Sequence, residues 1–343
     1  MNEVRIPAFA KINVRLDVVG KRPDGFHELR TIFQTISLHD DLILRWARGK
    51  AISLRVTGNA MLFTEPVEKN LVYRAVDLLR RHLRLRDGVE IELRKNVPAG
   101  RGLGGGSSDA AAALLGYLRL TGKKLDDARL FELAASLGAD VPFFLRGGRA
   151  LGVSKGDEIY PLPDVAKQYL LVVSPESIHV PTPDAYRWLA ASPIYGNGQN
   201  AKAKDNAEAQ STQRAAEKSR TAENKESGEK SEASGALTKL AKTSTIWGFC
   251  ALCWSAQGTS LSNDFEGPVF RRYPRLKQIK RVLLQHGAAE ASLAGSGSAV
   301  FGVFPSPVLA RRAAVRFPHD QTFVCETVSR DRYVRAVNGA SVR

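Results

Sequence analysis

Three absences narrow this chain of 343 residues before any motif is sought. No run approaches the roughly 18 consecutive apolar residues of a membrane-crossing helix; "YLLVVS" at 169–174 has only the length of a strand. The opening "MNEVRIPAFAKIN" has no apolar core of the signal-peptide kind, so the expectation is a cytoplasmic protein. Cysteine is scarce: Cys250, Cys253 and Cys325 are too few for a disulfide framework. Cys250 and Cys253 form a CxxC, but a structural zinc site needs about four ligands and no second pair accompanies them. They read instead as small apolar residues.

Acidic charge is also in deficit. Fifty Lys and Arg against 35 Asp and Glu leave a net charge of +15, a balance that favours polyanionic partners. No block of five or six basic residues appears, so nothing singles out nucleic acid or a membrane. From Gly196 to Thr245 aromatic residues, Val and Ile are all missing, and Leu237 and Leu240 are the only large apolar side chains. Such a stretch cannot offset its ordering entropy by burial, and is expected to be a disordered insertion.

What is present is a soluble composition, 43% hydrophobic and 25% charged. Val89 to Leu93 alternates like a half-buried strand. Ser107 to Leu118 reads as a helix, with serines to cap it and alanines to carry it. Asp126 or Asp127 can cap a second helix, whose Leu130, Leu133, Ala134 and Leu137 share a face and which Gly138 ends. Beyond about residue 155, "QYLLVVSP" and "SAVFGVFP" read as strands around helical patterns such as "RYPRLKQIKRVLLQHG". The expected class is α+β, in two domains, 1–155 and 156–343, with the insertion at 196–245 inside the second.

Five glycines fall within seven positions: Gly100, Gly102, Gly104, Gly105 and Gly106. Gly100-x-Gly102-x-x-Gly105 formally meets the dinucleotide fingerprint, yet the buried apolar strand that should precede it is replaced by Asn96 and Pro98. No GxxxxGK[ST] run exists anywhere in the chain. A glycine turn leading into a helix that opens Ser107-Ser108 nonetheless presents unpaired N–H groups and the positive end of a helix dipole, which suits phosphate. The two hydroxyls could add contacts to a phosphate or to Mg2+. A second cluster, Gly295-Ser296-Gly297-Ser298, alone reads as a hairpin turn; two such loops in a basic chain suggest joint service to a phosphate chain.

Three segments together resemble the GHMP kinase superfamily: "PAGRGLGGGSSDAAAA", "PAFAKIN" and "AGSGSAVFGVF". "RPDGFHEL", "LGADVPFFLRGG", "VPTPDAY" and "LSNDFE" are similar to the branch that phosphorylates the 2-hydroxyl of 4-diphosphocytidyl-2-C-methyl-D-erythritol. The resemblance spans the chain apart from the insertion. It implies a two-domain fold with ATP and substrate in the cleft between the domains, ATP with Mg2+ as co-substrate, no nucleic acid or membrane partner, and a monomer or weak homodimer.

Residue by residue, the resemblance makes Asp140 the base that takes the acceptor proton and Lys11 its partner. Read alone, Asp140 would cap a following element and Lys11 would be a solvated lysine. ATP would be held by Pro98, Gly100, Gly102, Leu103, Gly104, Gly105, Gly106, Ser107, Ser108 and Asn70, the last also able to cap the helix after it. The substrate would meet Asn13, Phe26, His27, Thr182, Tyr186, Gly295, Ser296 and Gly297, with Phe26 and Tyr186 sandwiching cytosine and His27 reading its edge. On their own these aromatics would be ordinary packing residues. Three positions depart from the family pattern: Phe26 for Tyr, Ala294 for Thr, and Arg101 where a small residue is common. Alternatives remain a homoserine or mevalonate kinase, a basic nucleic-acid-binding protein, and a kinase fold without activity.

Overall fold

A computed structural model describes residues 2–58, 66–192 and 260–339. The 196–245 segment and the Cys250–Cys253 pair lie outside these. Met1–Leu189 with Ser260–Arg343 make one compact unit, set apart from Ala190–Thr259.

Within the first unit the chain opens with two unusually long strands, β1 (Glu3–Lys21) and β2 (His27–Ala47), paired antiparallel. Their length lets one pair of strands serve two packing environments. Val4, Ile6 and Ala8 of β1 face a core shared with three helices, α1 (Leu71–His82), α2 (Gly105–Thr121) and α3 (Asp127–Leu137). A register shift between Phe9 and Lys11 then turns the strand: Ala8 and Phe9 both belong to that core, while Ala10 and Ile12 belong to another. One extra residue in a strand exchanges its faces, as a β-bulge does.

The first sheet runs β3 (Ile52–Gly58), β4 (Gly88–Lys95), β2, β1 and the two-residue β8 (Ser262–Asn263), with β5 (Arg149–Ser154) and β6 (Glu158–Pro161) added beside the first half of β2. Strand β4 keeps the expected alternation: Val89, Ile91 and Leu93 are buried, Glu90 and Glu92 face out. The second sheet is antiparallel throughout. It is ordered β11 (Gln321–Glu326), β7 (Tyr169–Ser174), β10 (Val300–Phe304), β9 (Glu290–Leu293). Its strands pack against α6 (Pro274–Gln285) and α7 (Pro307–Ala314), while α4 (Thr182–Ala190), α5 (Glu266–Arg272) and α8 (Arg330–Val337) complete the helices described. The class is α+β, as expected.

Two helix boundaries differ in kind from the sequence expectation. Helix α2 starts at Gly105 behind a left-handed Gly104 (φ 72°), and no side chain caps it. Ser107 and Ser108 sit inside its first turn rather than before it, because the glycine turn itself delivers the chain in helical register. Asp126 does cap α3, accepting from the Arg129 N–H at 2.9 Å. Gly138 closes that helix in extended backbone (φ 169°), not in the left-handed form usual for glycine there.

Candidate active site

The glycine loop lies on β1: the Lys11 N–H donates to the Leu103 carbonyl at 2.9 Å, and Leu103 is buried. Gly100, Gly102 and Gly104 all take positive φ, so the loop's path depends on residues without a side chain. At Gly102 the approach of the second glycine cluster is closest. A Cβ there would collide with the Ala294 carbonyl, standing 2.7 Å from its carbon. The two loops foreseen as separate features are therefore packed backbone to backbone.

Arg101 joins them a second time. Its guanidinium donates to Ser298 Oγ at 2.8 Å and to the Glu176 carbonyl at 3.1 Å, and its carbonyl accepts from Ala299 N–H at 3.2 Å. The side chain is a clasp between the loops. Asn263, in "LSNDFE", steadies the second loop by donating to the carbonyls of Leu293 and Gly295 at 2.9 and 2.8 Å.

Lys11 is buried, at 4% exposure, which removes the solvated-lysine reading. The bulge that exchanges the faces of β1 puts its ammonium where Asn13 Oδ1 accepts at 2.8 Å and Asp140 Oδ2 lies at 3.6 Å. Asn13 in turn donates to Thr31 Oγ1 at 2.7 Å, so Lys11, Asn13 and Thr31 form one buried hydrogen-bonded row. Asp140 comes from the turn between α3 and a short 3-10 helix, Pro142–Leu145, that begins behind Val141 with no side-chain cap. The capping reading of Asp140 thus fails. Its carboxylate is one-third exposed and faces the lysine. The ammonium also lies 3.3 Å from where a Cβ on Gly295 would stand, so the charged pair meets the second loop as well.

A carboxylate beside an ammonium, at the start of a helix whose first N–H groups lack intrahelical partners, can accept a hydroxyl proton while negative charge gathers on phosphate oxygens. Gly105 and Gly106 form the first residues of α2, followed by Ser107 and the buried Ser108, whose Oγ has no partner. Asn70 caps α1, accepting from Val72 N–H at 2.9 Å; this is the structural duty read for it, and its approach to a nucleotide is a separate matter. Pro98 lies on the lead-in to the loop. Among the described residues no three His, Cys, Asp or Glu side chains are gathered as a cage for a metal ion.

Thr182 Oγ1 and Ser296 Oγ lie 3.0 Å apart, tying the start of α4 to the second glycine loop beside Gly297. His27 and Tyr186 are brought together as a stacked pair, centroids 4.5 Å apart and planes 21° from parallel. Tyr186 meets Phe265 edge-on at 4.8 Å. Burial, then the charge of Lys21, lowers the His27 pKa from its ordinary value, which keeps the imidazole neutral near pH 7. Phe26 does not join this stack. It lies on the exposed turn between β1 and β2, 58% accessible, with the Lys155 ammonium 5.1 Å from its ring centre.

Sequence reasoning passed over one cluster entirely. Under the glycine loop Lys95 sits between Asp40 and Asp109, with all three side chains at most 4% exposed. Lysine in a half-buried strand and aspartate in an alanine-rich helix both look like surface residues, so only their pairing across 14 and 55 residues reveals them. Burial, opposed by Lys95 and aided by Asp40, pushes the Asp109 carboxyl up to about 8 from an ordinary 3.8. A carboxyl raised in this way stabilises the fold fully below its unfolded pKa, and that contribution drains away as pH climbs to the folded value. The melting temperature should therefore fall between about pH 4 and about pH 8 more steeply in the parent than in Asp109→Asn. Parallel slopes in thermal denaturation of the two proteins would contradict this.

A shallow cavity of about 600 Å³ on the outer face of the first sheet, lined by Arg5, Asp41, Arg55, Glu92 and Arg94 among others, shares no residue with this site. In it Asp41 lies opposite Arg94 and Glu92 opposite Arg55, so its charges largely offset one another.

Two family profiles match the chain: GHMP kinases N terminal domain at residues 70–148 and GHMP kinases C terminal at 246–320. A curated relative from Solibacter usitatus, named 4-diphosphocytidyl-2-C-methyl-D-erythritol kinase, is 39% identical over 95% of this chain and 89% of its own length. A solved 4-(cytidine 5'-diphospho)-2C-methyl-D-erythritol kinase superposes with a TM-score of 0.67 at 30% identity, covering 94% of this chain and 99% of that one. Homoserine kinase from Cytophaga hutchinsonii superposes at 0.63 over 96% of this chain and 95% of its own, with 18% identity, a likeness of fold alone.

Proposed function

Since the chain belongs to the GHMP kinases, we propose that it transfers the γ-phosphoryl group of ATP to the 2-hydroxyl of 4-diphosphocytidyl-2-C-methyl-D-erythritol. The observation that carries the reading is the Lys11–Asp140 pair, 3.6 Å apart, placed where two glycine loops meet. The phosphates lie along the glycine loop and the first turn of α2, with Mg2+ supplied alongside ATP to offset their charge. Asp140 accepts the proton of the acceptor hydroxyl as that oxygen bonds to the γ-phosphorus and the bridging P–O bond to ADP breaks. Lys11 faces that carboxylate and offsets charge on the transferring group, while Asn13 fixes the direction of its ammonium.

The acceptor is assigned from its neighbours. The curated relatives named for this substrate match over nearly the whole chain, and the aromatic cluster of His27, Tyr186 and Phe265 suits a flat base with polar edges. A neutral imidazole can both donate to and accept from such a base. This reading places the protein's work in the cytoplasm, on two anionic small molecules.

The test is release of ADP from Mg·ATP by the purified protein, with the cytidyl substrate, homoserine and mevalonate offered in parallel. Turnover with the cytidyl substrate alone is expected. Turnover with either other alcohol would overturn the substrate assignment, and no turnover by folded protein would overturn the kinase reading itself.

A further inference from the structure

We infer that Asp40, Lys95 and Asp109 form a positioning network that holds both ends of the glycine loop in the geometry that receives phosphates. The inference rests on the loop being the nucleotide site. Asp40, on β2, accepts from the backbone N–H groups of Asn96 at 2.5 Å and Val97 at 2.8 Å, the two residues that lead from β4 toward the loop. Its other oxygen accepts from the Lys95 ammonium. The same ammonium donates to Asp109 Oδ2 at 2.6 Å, and Asp109 lies in the early turns of α2, just past the loop. One buried cation thus ties loop entry to loop exit. The ends are in van der Waals reach too: a Cβ on Gly105 would stand 3.0 Å from Val97 Cγ1 and 3.4 Å from Lys95 Nζ.

Stability alone does not account for such a cluster. Removing an ammonium and two carboxyl groups from water is costly, and apolar residues of the same size commonly hold a fold as well or better. Two carboxyl groups share one ammonium here, and Asp109 Oδ1 has no hydrogen-bond partner at all, which a purely stabilising core would avoid. What the cluster supplies is direction. Between Val97 and Asp109 lie five glycines, three of them at positive φ, and a segment with that freedom would lose much entropy on closing around a phosphate chain. Fixing its two ends in advance leaves less to be ordered when the ligand arrives.

The experiment uses the full-length protein, its Lys95→Met and Asp40→Asn variants, and Lys95→Arg as the conservative change. ATP KM, acceptor KM and kcat are measured for each, together with amide hydrogen exchange over residues 98–108 without nucleotide. In Lys95→Met the ATP KM is expected to rise about tenfold or more, with the acceptor KM moving less than about twofold, as lost pre-ordering of one ligand's site predicts. Exchange should quicken over 98–108 and not over β7, and Lys95→Arg should recover part of both effects. Asp40→Asn, nearly isosteric, carries the same pattern at smaller amplitude if Lys95→Met does not fold. Folded variants with parental ATP KM and parental loop exchange would overturn the network's role while leaving the kinase reading intact. Equal loss of affinity for both substrates, with exchange raised throughout, would also overturn it, in favour of a general stabilising cluster. A parent protein that neither binds nor turns over ATP would instead remove the reading on which the inference rests.

Discussion

Asp140→Asn is expected to bind nucleotide as the parent does and to lose turnover by about 10²–10⁴-fold, the usual contribution of a positioned proton acceptor. The side chain keeps its shape but can no longer take the acceptor proton, and the ion pair with Lys11 at 3.6 Å disappears. Loss of fold should not confuse the result. Asp140 is one-third exposed, caps no helix, and stands in a turn rather than in either core. Steady-state ADP release gives kcat, and titration with a non-hydrolysable ATP analogue gives affinity. Turnover close to the parent's would mean that the proton leaves by another route, since in phosphoryl transfer positioning and electrostatics can carry most of the acceleration.

Gly102→Ala should act by a different path, through geometry. The residue sits at φ 80°, where an L side chain is strained, and a Cβ would run into the Ala294 backbone rather than into a yielding side chain. Strain of roughly 1–2 kcal/mol for the backbone and about 1–3 kcal/mol for overpacking together predict a loss of a few kcal/mol in stability. The loops must also separate, so ATP affinity should fall along with the melting temperature. Denaturant unfolding and nucleotide titration of the folded fraction would measure the two effects. A protein of parental stability and affinity would show that the loops need not touch, and would weaken the case that they serve one phosphate chain. Gly106 offers the contrast: its Cβ would meet only Leu71 Cδ1, at 3.7 Å, an ordinary contact, so Ala there has room.

The reading from sequence succeeded where physics is local. Strand β4 is legible because Val89, Ile91 and Leu93 bury while Glu90 and Glu92 do not, and α3 because Asp126 caps it three residues before the amide it accepts from. It missed the long strands β1 and β2, where residues Ala8 to Val14 are buried on both faces and no alternation survives to be seen. It also placed serines at a cap that a glycine occupies. Left-handed backbone is invisible in a side-chain pattern unless the turn type is already known. The partners of Arg101, Ser298 and the Glu176 carbonyl, were not legible because they are 197 and 75 residues away.

The candidate site divides in the same way. Asp140 and Lys11 were found through motif resemblance, since an aspartate after a helix end and a lysine in a strand carry no chemical signature of their own, whereas the glycine loop stood out by its glycine density. His27 and Tyr186 were also named, but their stacking across β2 and α4, and the place of Phe26 on an exposed turn, belong to the folded chain. The sequence by itself determined the family, the α+β class, the absence of any long apolar run and the identity of the groups available for chemistry. The class and the available groups follow from residue type and spacing along the chain, the family from the resemblance of its motifs. Only the tertiary structure decided which groups meet: the bulge in β1 that turns Lys11 toward Asp140, the contact of Gly102 with Ala294, and the ammonium of Lys95 between Asp40 and Asp109. The reason is distance. Burial and ion pairing act through a few ångströms of space, and residues tens or hundreds of positions apart come within that range only when the sheets close the chain upon itself.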